Sequence, residues 1–429
     1  MKRIIRKTRS LCPVCGLNLP AVLAAEENGT VYLERTCPKH GGFSVPVWEG
    51  RVDFDAWTRG AAPLGPGQGE ACTGRCGLCG EHESGSCCVL LEVTGRCDLR
   101  CRFCFADGGK GEDIPAEELK AAIRDIARRG KPMLQLSGGE PTLRDDLPEL
   151  VAYAREAGCS YVQVNTNGLR LAREPDYAKR LADAGTDIIF LQFDGTRDEI
   201  FRTLRGQPLL EAKREAVRIC AEAGMGVTLV PTVVPGVNED NLGDLVRFAA
   251  SQAPNVRGVH FQPVSYFGRF PHEAGDRCTL DRLISDLCDQ LGVRQTDFLP
   301  SRCDHPLCGF HARYLIGPGG ALQALTDIAN VPRTRGTAEE NRDFVARQWK
   351  KAEPGPKPAA DFGEEMDFDT FLTAVRQRSL TLSAMAFQDA MNLNLERLHR
   401  CSLHVYDRGS LKPFCARYLT LAGEREAVE

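Results

Sequence analysis

The chain has 429 residues, of which 42% are hydrophobic and 26% are charged, and its formal net charge is −4. These values are ordinary for a globular protein, and the slight negative charge gives no reason to expect a nucleic-acid-binding surface. No stretch approaches 18 consecutive apolar residues, so we expect no membrane span.

The chain contains 19 cysteines, which is an unusually large number. Disulfide frameworks are typical of short secreted chains, whereas clustered thiols in a long chain without an apolar signal segment indicate metal ligation. We therefore expect a cytoplasmic protein whose cysteines mostly bind metals.

The first cysteines stand in two knuckles near the amino terminus, CPVCG and CPKHG. Cys12, Cys15, Cys37 and His40 have the spacing of a zinc-ribbon or rubredoxin-like site. Three thiolates and one imidazole favour Zn²⁺ in a structural role, and iron is the alternative if His40 is not a ligand. We assign this module to residues 1–60.

A second group of cysteines lies in the segment ACTGRCGLCGEHESGSCC, within residues 61–88. Four of its five thiols could close an auxiliary [4Fe–4S] cluster, which commonly takes four thiolates. The sequence does not decide which member of the adjacent pair takes part, and the second member could be a buried core thiol. The five candidates are Cys72, Cys76, Cys79, Cys87 and Cys88.

Residues 89–300 alternate strand-like apolar runs with amphipathic segments of helix length. Six such units in a row predict an α/β fold with a parallel sheet and helices outside it. We expect strands at 89–94, 132–137, 161–165, 187–193, 226–232 and 257–264. We expect helices near 115–129, 144–157, 174–184, 209–223, 239–252 and 280–291.

Polar residues recur at every second position in five of these strands. Because side chains alternate in direction along a strand, the two members of each pair share one face. This pattern predicts an open barrel whose lumen holds a polar ligand, and the alternative is that single side chains only satisfy backbone groups near loop ends. The pairs are Glu92 and Thr94, Gln135 and Ser137, Gln163 and Asn165, Gln192 and Asp194, and His260 and Gln262.

Three cysteines lie within TGRCDLRCRFCFADGG, directly after the first of these strands. A [4Fe–4S] cluster on Cys97, Cys101 and Cys104 keeps one iron without a protein ligand, as a catalytic zinc keeps an open position. The pattern C-x3-C-x-aromatic-C, with Phe103 before the last cysteine, resembles the defining motif of the radical SAM superfamily. The alternative is a zinc knuckle that a distant histidine completes.

The resemblance implies a partial (βα)6 barrel in which the cluster reductively cleaves S-adenosylmethionine and produces a 5′-deoxyadenosyl radical. Two further segments, SGGEP and NTNG, match elements of that family at the ends of the second and third strands, where such barrels form active sites. For Asn167 alone, an Asn-Gly turn is an equal alternative. The resemblance and the polar strand ends give the cofactor-binding set Phe103, Gly138, Gly139, Glu140, Asn165, Asn167, Gln192 and Asp194.

The carboxyl-terminal region, residues 301–429, has a less regular pattern, with a helix expected around 367–377 and four further cysteines. One pair lies in SRCDHPLCG, and the other flanks HVYDRGSLKP, which predicts a short hairpin. If the tail folds back on the barrel, the four thiols could hold another auxiliary cluster, and isolated structural thiols are the alternative. They are Cys303, Cys308, Cys401 and Cys415.

The whole layout resembles a branch of the superfamily that includes archaeal tetraether lipid synthase, methylases of a pterin precursor and the bacterial radical SAM (seleno)protein TrsS. The branch implies C–H activation of a small-molecule, lipid or peptide substrate, ending in methylation, sulfur transfer or carbon–carbon coupling. We expect a ferredoxin or flavodoxin as the electron donor. The alternatives are a peptide- or cofactor-maturing radical SAM enzyme and a non-catalytic metal-binding or electron-transfer protein.

Overall fold

The computed structural model describes residues 2–61, 63–65, 67–75, 77–109, 111–130, 132–271, 275–330, 336–349 and 368–425. Its strands, β1 to β17 in chain order, are Arg3–Leu11, Asn18–Ala25, Val31–Cys37, Gly41–Trp48, Cys88–Thr94, Met133–Gly138, Val162–Thr166, Ile188–Gln192, Gly226–Val230, Thr232–Val233, Val256–Pro263, Leu299–Pro300, Gly309–Ile316, Leu322–Ala324, Ser379–Met385, Leu403–Asp407 and Ser410–Pro413.

The helices, α1 to α14 in chain order, are Phe54–Trp57, Ala116–Arg128, Leu147–Glu156, Leu169–Arg173, Pro175–Asp183, Asp198–Arg205, Leu210–Glu222, Leu242–Ser251, Leu280–Leu291, Ala338–Trp349, Phe368–Arg378, Leu395–His399, Phe414–Arg417 and Ala422–Arg425. Among the described helices, none has both the length and the apolar character that crossing a bilayer requires.

The amino-terminal module is a four-stranded antiparallel sheet in the order β1-β2-β3-β4. Alternate residues of β3 are buried, and they pack with a small aromatic group in which the rings of Trp48 and Trp57 lie 5.8 Å apart. The two cysteine knuckles follow β1 and β3, so both reach the same end of the sheet. This arrangement confirms the zinc-ribbon module that the sequence predicts.

The amino-terminal module is fixed to the rest of the chain by buried polar contacts. The carboxylate of Asp281, on α9, accepts backbone hydrogen bonds from Glu49 and Arg51, each at 2.9 Å. On the other side, the buried guanidinium of Arg35 donates to the carbonyls of Ala390 and Met391. Since a buried charge needs hydrogen-bonding partners, these contacts define one docking geometry.

The central part of the chain is a parallel sheet in the order β11-β9-β8-β7-β6-β5. The six expected strands are confirmed, each within one or two residues of the predicted bounds. The inaccessible side chains Leu134 and Val164 lie on the face of the sheet toward the helices, and the alternate positions carry Gln135 and Gln163. The α/β partial barrel is therefore confirmed.

The outer helices pack on this sheet by the spacing of their apolar residues. In α2, for example, Leu119, Ile123 and Ile126 are all 1% exposed or less and stand three and four positions apart. Such spacing puts apolar side chains on one stripe of a helix and leaves its charged residues in solvent. The helices expected from the sequence in this region are all present.

The carboxyl-terminal tail adds strands to both edges of the barrel sheet, which the sequence pattern did not predict. β15 pairs in parallel with β11 at one edge, and β16 pairs in parallel with β5 at the other. β13 and β17 then extend the sheet in antiparallel pairing. β16 and β17 form the hairpin expected between the last two cysteines. The sheet thus has eight adjacent parallel strands, of which six belong to the predicted βα units.

Candidate active site

The three cysteines of the catalytic loop, residues 95–109, follow the carboxyl end of β5 and are each half-buried. The loop is fixed by its backbone, because Cys104 and Arg269 exchange two N–H···O bonds of 2.9 Å. The Arg269 guanidinium also donates to the carbonyls of Cys101 and Gly108, at 3.0 and 3.2 Å. The backbone of the loop is thus held by Arg269 through both its main chain and its side chain.

The GGE element, which consists of Gly138, Gly139 and Glu140 at the end of β6, lies directly against the catalytic loop. The Gly139 N–H donates to the carbonyl of Thr94 and the Glu140 N–H donates to that of Arg96, both at 2.7 Å. A Cβ on Gly139 would lie 2.0 Å from the Arg96 oxygen, and one on Gly108 would lie 3.0 Å from the Gly139 Cα. Glycine is therefore needed at both positions for contact between two backbone segments.

The carboxylate of Glu140 is buried and already has protein donors on both oxygens. Its Oε1 accepts from the backbone and hydroxyl of Thr142 and from the hydroxyl of Thr166, and its Oε2 accepts from the N–H of Asn167 at 2.7 Å. Burial raises the pKa of Glu140 above its ordinary value, although these hydrogen bonds oppose the shift. Because a carboxylate oxygen can accept twice, Oε2 retains one acceptor position.

The two asparagines of the NTNG segment differ in their surroundings. Asn167 donates to the carboxylate of Asp98 in the catalytic loop at 2.6 Å and accepts from the N–H of Leu169. Asn165 accepts from Gln163 at 3.1 Å and faces the barrel lumen. Asn167 therefore orders the loop, and Asn165 lines the lumen cavity.

The fourth barrel strand, β8, leads to a buried ion pair beside the catalytic loop. Asp194 accepts two hydrogen bonds from the guanidinium of Arg205, at 2.6 and 2.7 Å. Against the effect of burial, the charge of Asp194 and the neighbouring Cys101 side chain raise the pKa of Arg205. The guanidinium is thus a permanent positive charge next to one of the three cysteines.

A buried lysine lies at the carboxyl end of the same strand. Lys213 of α7 is inaccessible to solvent and donates to the side chain of Gln192 at 3.0 Å and to the backbone carbonyl of Asn167. Burial lowers the pKa of Lys213 to about 8. Neither Arg205 nor Lys213 was predicted from the sequence.

The position of Lys213 in the sequence already indicates that it is an unusual, buried lysine. Lys213 stands on the apolar face of α7, in helical register with Leu209, Ala216 and Val217, where a charged residue is unusual.

The aromatic residue of the cysteine motif packs away from the lumen. Phe103 contacts an apolar cluster with Ile200 and Leu204 of α6, and its ring lies 6.4 Å from that of Tyr266. The loop is also held to α6 by the Arg102 N–H, which donates to the Leu204 carbonyl at 2.9 Å. The surroundings of Phe103 are those of a residue that positions the loop.

Five of the ten polar strand positions line the lumen cavity, an opening of about 120 Å³ inside the barrel. Phe105, directly after the last motif cysteine, lies at its wall, and the thiol of Cys88 donates to the side chain of Gln135 at 3.2 Å. The polar and aromatic side chains around it are Gln135, Gln163, Asn165, Gln262, His260, Asp304, Asn341, Ser402, Phe105, Phe190, Trp349, Phe387 and Phe414.

One polar atom in this cavity has no partner among the described residues. The Oε1 of Gln163 is buried and accepts no hydrogen bond from them, and the residue is only 2% exposed. A buried acceptor without a partner costs free energy, so this atom is suited to a donor on a bound ligand.

The zinc site brings together the four donors that the sequence predicts. The ring Nδ1 of His40 lies 3.5 Å from the sulfurs of both Cys12 and Cys37, and the sulfurs of Cys15 and Cys37 are 4.0 Å apart. All four donor atoms lie within 4.8 Å of one another. Three thiolates and one imidazole in so compact a set fit a tetrahedral Zn²⁺ site.

The second cysteine segment runs along the tail. The Leu78 N–H donates to the carbonyl of Leu411 at 3.1 Å, and the Cys87 N–H donates to that of Ser402 at 2.9 Å. Cys72 is buried in an apolar cluster that also contains Cys415. Cys79 is exposed, and Cys76 lies outside the described residues.

Three of the four tail cysteines lie close together. Besides burial, the charges of Asp304, Cys415 and Cys308 raise the pKa of Cys401. The charge of Cys303 contributes, after burial, to raising the pKa of Cys87, so Cys303 lies near Cys87. These contributions place Cys308 and Cys415 near Cys401, and Cys303 near Cys87.

Comparisons with known proteins agree with this geometry. A family model described as the radical SAM superfamily matches residues 91–249, and one described as the HMPTM N-terminal zinc ribbon domain matches residues 4–49. The 7,8-dihydro-6-hydroxymethylpterin dimethyltransferase of Methanocaldococcus jannaschii is 30% identical to this chain, over 99% of this chain and 95% of the relative.

Other similarities cover less of the molecule. The Fe-coproporphyrin III synthase of Methanosarcina barkeri is 36% identical over 42% of this chain and 45% of its own length. The crystal structure of SuiB from Streptococcus suis matches with a TM-score of 0.40 and 18% identity, over 48% of this chain and 45% of that one. The full-length similarity to the Methanocaldococcus protein is the one that assigns the family. The chain belongs to the radical SAM superfamily and, within it, to the family of this pterin dimethyltransferase, with an amino-terminal zinc ribbon.

Proposed function

We propose that this radical SAM enzyme methylates a carbon of a planar, nitrogen-rich heterocycle of the dihydropterin class, bound in the lumen cavity. The proposal is supported by the kind of residues that line this cavity and by the full-length similarity to a protein named as a pterin dimethyltransferase. Sulfur transfer and carbon–carbon coupling are the other outcomes that the same radical chemistry allows.

The catalytic loop has the thiols for the cofactor that this chemistry needs. Cys97, Cys101 and Cys104 would hold a [4Fe–4S] cluster, and they are half-buried at the carboxyl ends of the barrel strands. With S-adenosylmethionine bound, such a cluster supplies the 5′-deoxyadenosyl radical. The positive charge of Arg205 lies beside Cys101 and is of opposite sign to the thiolates that would hold the cluster.

The residues proposed to bind S-adenosylmethionine surround the loop. The remaining acceptor position on Glu140 suits the methionine ammonium, together with the backbone of Gly138 and Gly139. Asn165 is placed for the ribose hydroxyls because it faces the lumen. In this proposal Asp194 and Asn167 do not contact S-adenosylmethionine. The carboxylate of Asp194 already binds Arg205, and the amide of Asn167 already binds Asp98 of the catalytic loop.

The single observation that carries the substrate class is the combination of amides and aromatic rings around one cavity. Each amide offers donors and an acceptor, which matches the alternating donors and acceptors on the edge of a heterocycle such as a pterin. Aromatic rings such as Phe190 and Trp349, whose centroids lie 5.2 Å apart, provide faces for stacking. The unpaired Oε1 of Gln163 would accept from a ring N–H or amino group.

We further propose that the remaining clustered cysteines hold auxiliary iron–sulfur clusters. Cys308, Cys401 and Cys415 are the thiols of one, with Cys303 as the expected fourth ligand, and Cys72, Cys76 and Cys79 with Cys87 or Cys88 are those of the other. Each described cysteine is free of disulfide bonds, which agrees with a reducing cytoplasm. A ferredoxin or flavodoxin is the proposed electron donor.

The resemblance to the branch that includes tetraether lipid synthase and TrsS suggests a lipid as a second substrate class. The polar amides of the lumen cavity make it a poor site for a long hydrocarbon chain, because burying them against hydrocarbon would leave their hydrogen bonds unmade. We therefore favour the heterocycle over a lipid.

The proposed reaction is tested by anaerobic reconstitution with iron, sulfide and S-adenosylmethionine, followed by incubation with 7,8-dihydro-6-hydroxymethylpterin and a cell extract that supplies the one-carbon donor. We expect 5′-deoxyadenosine and a pterin whose mass has risen by one or two CH2 units. A Gln163→Leu variant should form little methylated pterin and still bind iron. Formation of 5′-deoxyadenosine with methylation of another compound in the extract, and none of the pterin, would reject this substrate class.

A further inference from the structure

A second and larger cavity of about 550 Å³, which we call the side pocket, lies beside the lumen cavity. Its walls are the inner faces of β11, β15 and β13 and the helix α10. The two cavities share lining residues, among them His260, Asn341 and Trp349. A ligand in the lumen would therefore have the side pocket as its neighbour.

Strand pairing sets the polar residues of the side pocket in two rows. One row holds His260, Ser383 and His311, and in the other Thr381 is paired with Arg313. His260 and Ser383 are hydrogen bonded at 2.9 Å between Nδ1 and Oγ. Because residues directly opposite each other on paired strands point to the same face, these groups converge on one space.

The guanidinium of Arg313 is the unusual group in this pocket. With the described residues it makes no side-chain hydrogen bond or ion pair, and its Nε is buried without a partner. Burial lowers its pKa below the ordinary value for arginine, but the group remains charged at neutral pH. A partly buried cation without a counterion is costly, and an anion in the pocket would remove this cost.

The other charged groups of the pocket do not supply that anion. Glu340 accepts from the N–H of Thr337, and Asp304 accepts from the N–H of Ser402 at 2.7 Å. Arg302 and Arg347 add positive charge at the pocket wall. The described lining thus carries three arginines against two carboxylates.

The two histidines of the pocket are neutral at pH 7. Burial lowers the pKa of both His260 and His311 to about 4, and the neighbouring Arg313 and Arg302 contribute to the shift of His311. A neutral imidazole offers one N–H donor, so these rings can take part in hydrogen bonding without adding charge.

We propose that the side pocket is a binding site for an oxyanion of the phosphate class, held by Arg313 with the hydroxyls of Thr381 and Ser383 and the ring of His311. The guanidinium is a planar fork of donors that suits a phosphate, and the hydroxyls and imidazole are donors around it. The occupant is either a phosphate group carried by the substrate or a free phosphate. The same donors would bind either one.

The proposal does not depend on the proposed substrate, because binding is measured without turnover. Inorganic pyrophosphate is titrated into the reconstituted enzyme by calorimetry and, in parallel, by the fluorescence of Trp349, one of three tryptophans in the chain. We expect saturable binding with a change in fluorescence. In Arg313→Gln, the dissociation constant should rise at least about tenfold, whereas Arg313→Lys should recover part of the affinity.

The matched control is Arg214→Gln, which removes an exposed arginine of α7 outside the side pocket and should leave pyrophosphate binding unchanged. Iron and zinc contents equal to those of the wild type show that each variant is folded. Inhibition of product formation by pyrophosphate identifies a phosphorylated substrate, and uninhibited turnover identifies a free anion. Equal affinity in the wild type and Arg313→Gln, or tighter binding of succinate than of pyrophosphate, would overturn the proposal.

Discussion

The zinc site and the catalytic loop both place cysteines after a β-strand, but they differ in what the protein holds in place. In the zinc site, four donor atoms lie within 4.8 Å of one another, so the ligand set is closed. In the catalytic loop, backbone bonds from Gly139 and Glu140 and a pair with Arg269 fix the chain, and three half-buried thiols remain for a cluster. A closed set suits structure, and an incomplete one leaves a position for chemistry.

The first and largest effect expected from this difference concerns iron. Replacing Cys97, Cys101 and Cys104 together by Ala should remove about four irons per chain, because one cubane is lost, and it should leave the zinc in place. Metal analysis after anaerobic reconstitution measures both. Cys288→Ala, which alters a half-buried thiol of α9, is the control and should retain all iron. An unchanged iron content in the triple variant would contradict the assignment.

A second prediction separates the catalytic loop from the grouped tail thiols. The Cys401→Ala/Cys415→Ala variant should still cleave S-adenosylmethionine, because the catalytic loop is intact, but it should yield little product. Quantifying 5′-deoxyadenosine and product in the same samples tests this expectation. Normal product yield would mean that the tail cysteines are only structural.

The contact between the GGE element and the loop can be broken by one methyl group. Gly139→Ala places a Cβ 2.0 Å from the Arg96 carbonyl oxygen, and we expect a loss of about 3 kcal/mol in unfolding free energy together with reduced cluster loading. Gly42→Ala is the matched control in the zinc ribbon, since a Cβ there meets nothing within 4 Å. Equal behaviour of the two variants in denaturant unfolding and iron analysis would refute the role of this backbone contact.

Loss of the zinc site should lower the stability of the protein and leave its iron content unchanged. Cys12→Ser and Cys37→Ser should each lose zinc and lower Tm by several degrees, because a structural zinc contributes folding free energy. The iron content should be unchanged. Parallel loss of iron and zinc would show that the two sites depend on each other.

The last effect expected is a pH dependence of stability caused by Lys213. Its pKa is about 8 in the folded chain, against 10.5 ordinarily, so between these values the unfolded chain binds more protons. Unfolding free energy should therefore rise with pH across this window, by at most on the order of 3 kcal/mol. Denaturant unfolding of the wild type and of Lys213→Met below and above this window measures the difference, and equal slopes in the two proteins would argue against it.

The sequence predicted those features that depend on local pattern. The six barrel strands follow from alternating apolar and polar residues, as at Gln135 and Gln163, and the zinc ligands follow from their spacing. The hairpin between Cys401 and Cys415 follows from turn residues at its centre. Each of these signals lies within a few residues along the chain, so it can be recognised without the fold.

Features that depend on distant contacts were not predicted. The pairing of Leu403 with Cys88 joins residues more than 300 positions apart, and no local periodicity encodes it. The same holds for the ion pair that places Arg205 beside Cys101, and for α10, which brings Trp349 into the lumen. The domain boundaries and the ligand sets of the auxiliary clusters stay predictions.

The central claim, that the three-cysteine loop is the site of S-adenosylmethionine cleavage, is tested most directly by measuring 5′-deoxyadenosine. Wild type, the Cys12→Ser zinc variant and the Cys97/Cys101/Cys104 triple variant are reconstituted anaerobically and supplied with dithionite and S-adenosylmethionine. We expect 5′-deoxyadenosine from the first two proteins and none from the third. Formation of 5′-deoxyadenosine by the triple variant, or its absence from fully iron-loaded wild type, would contradict the account.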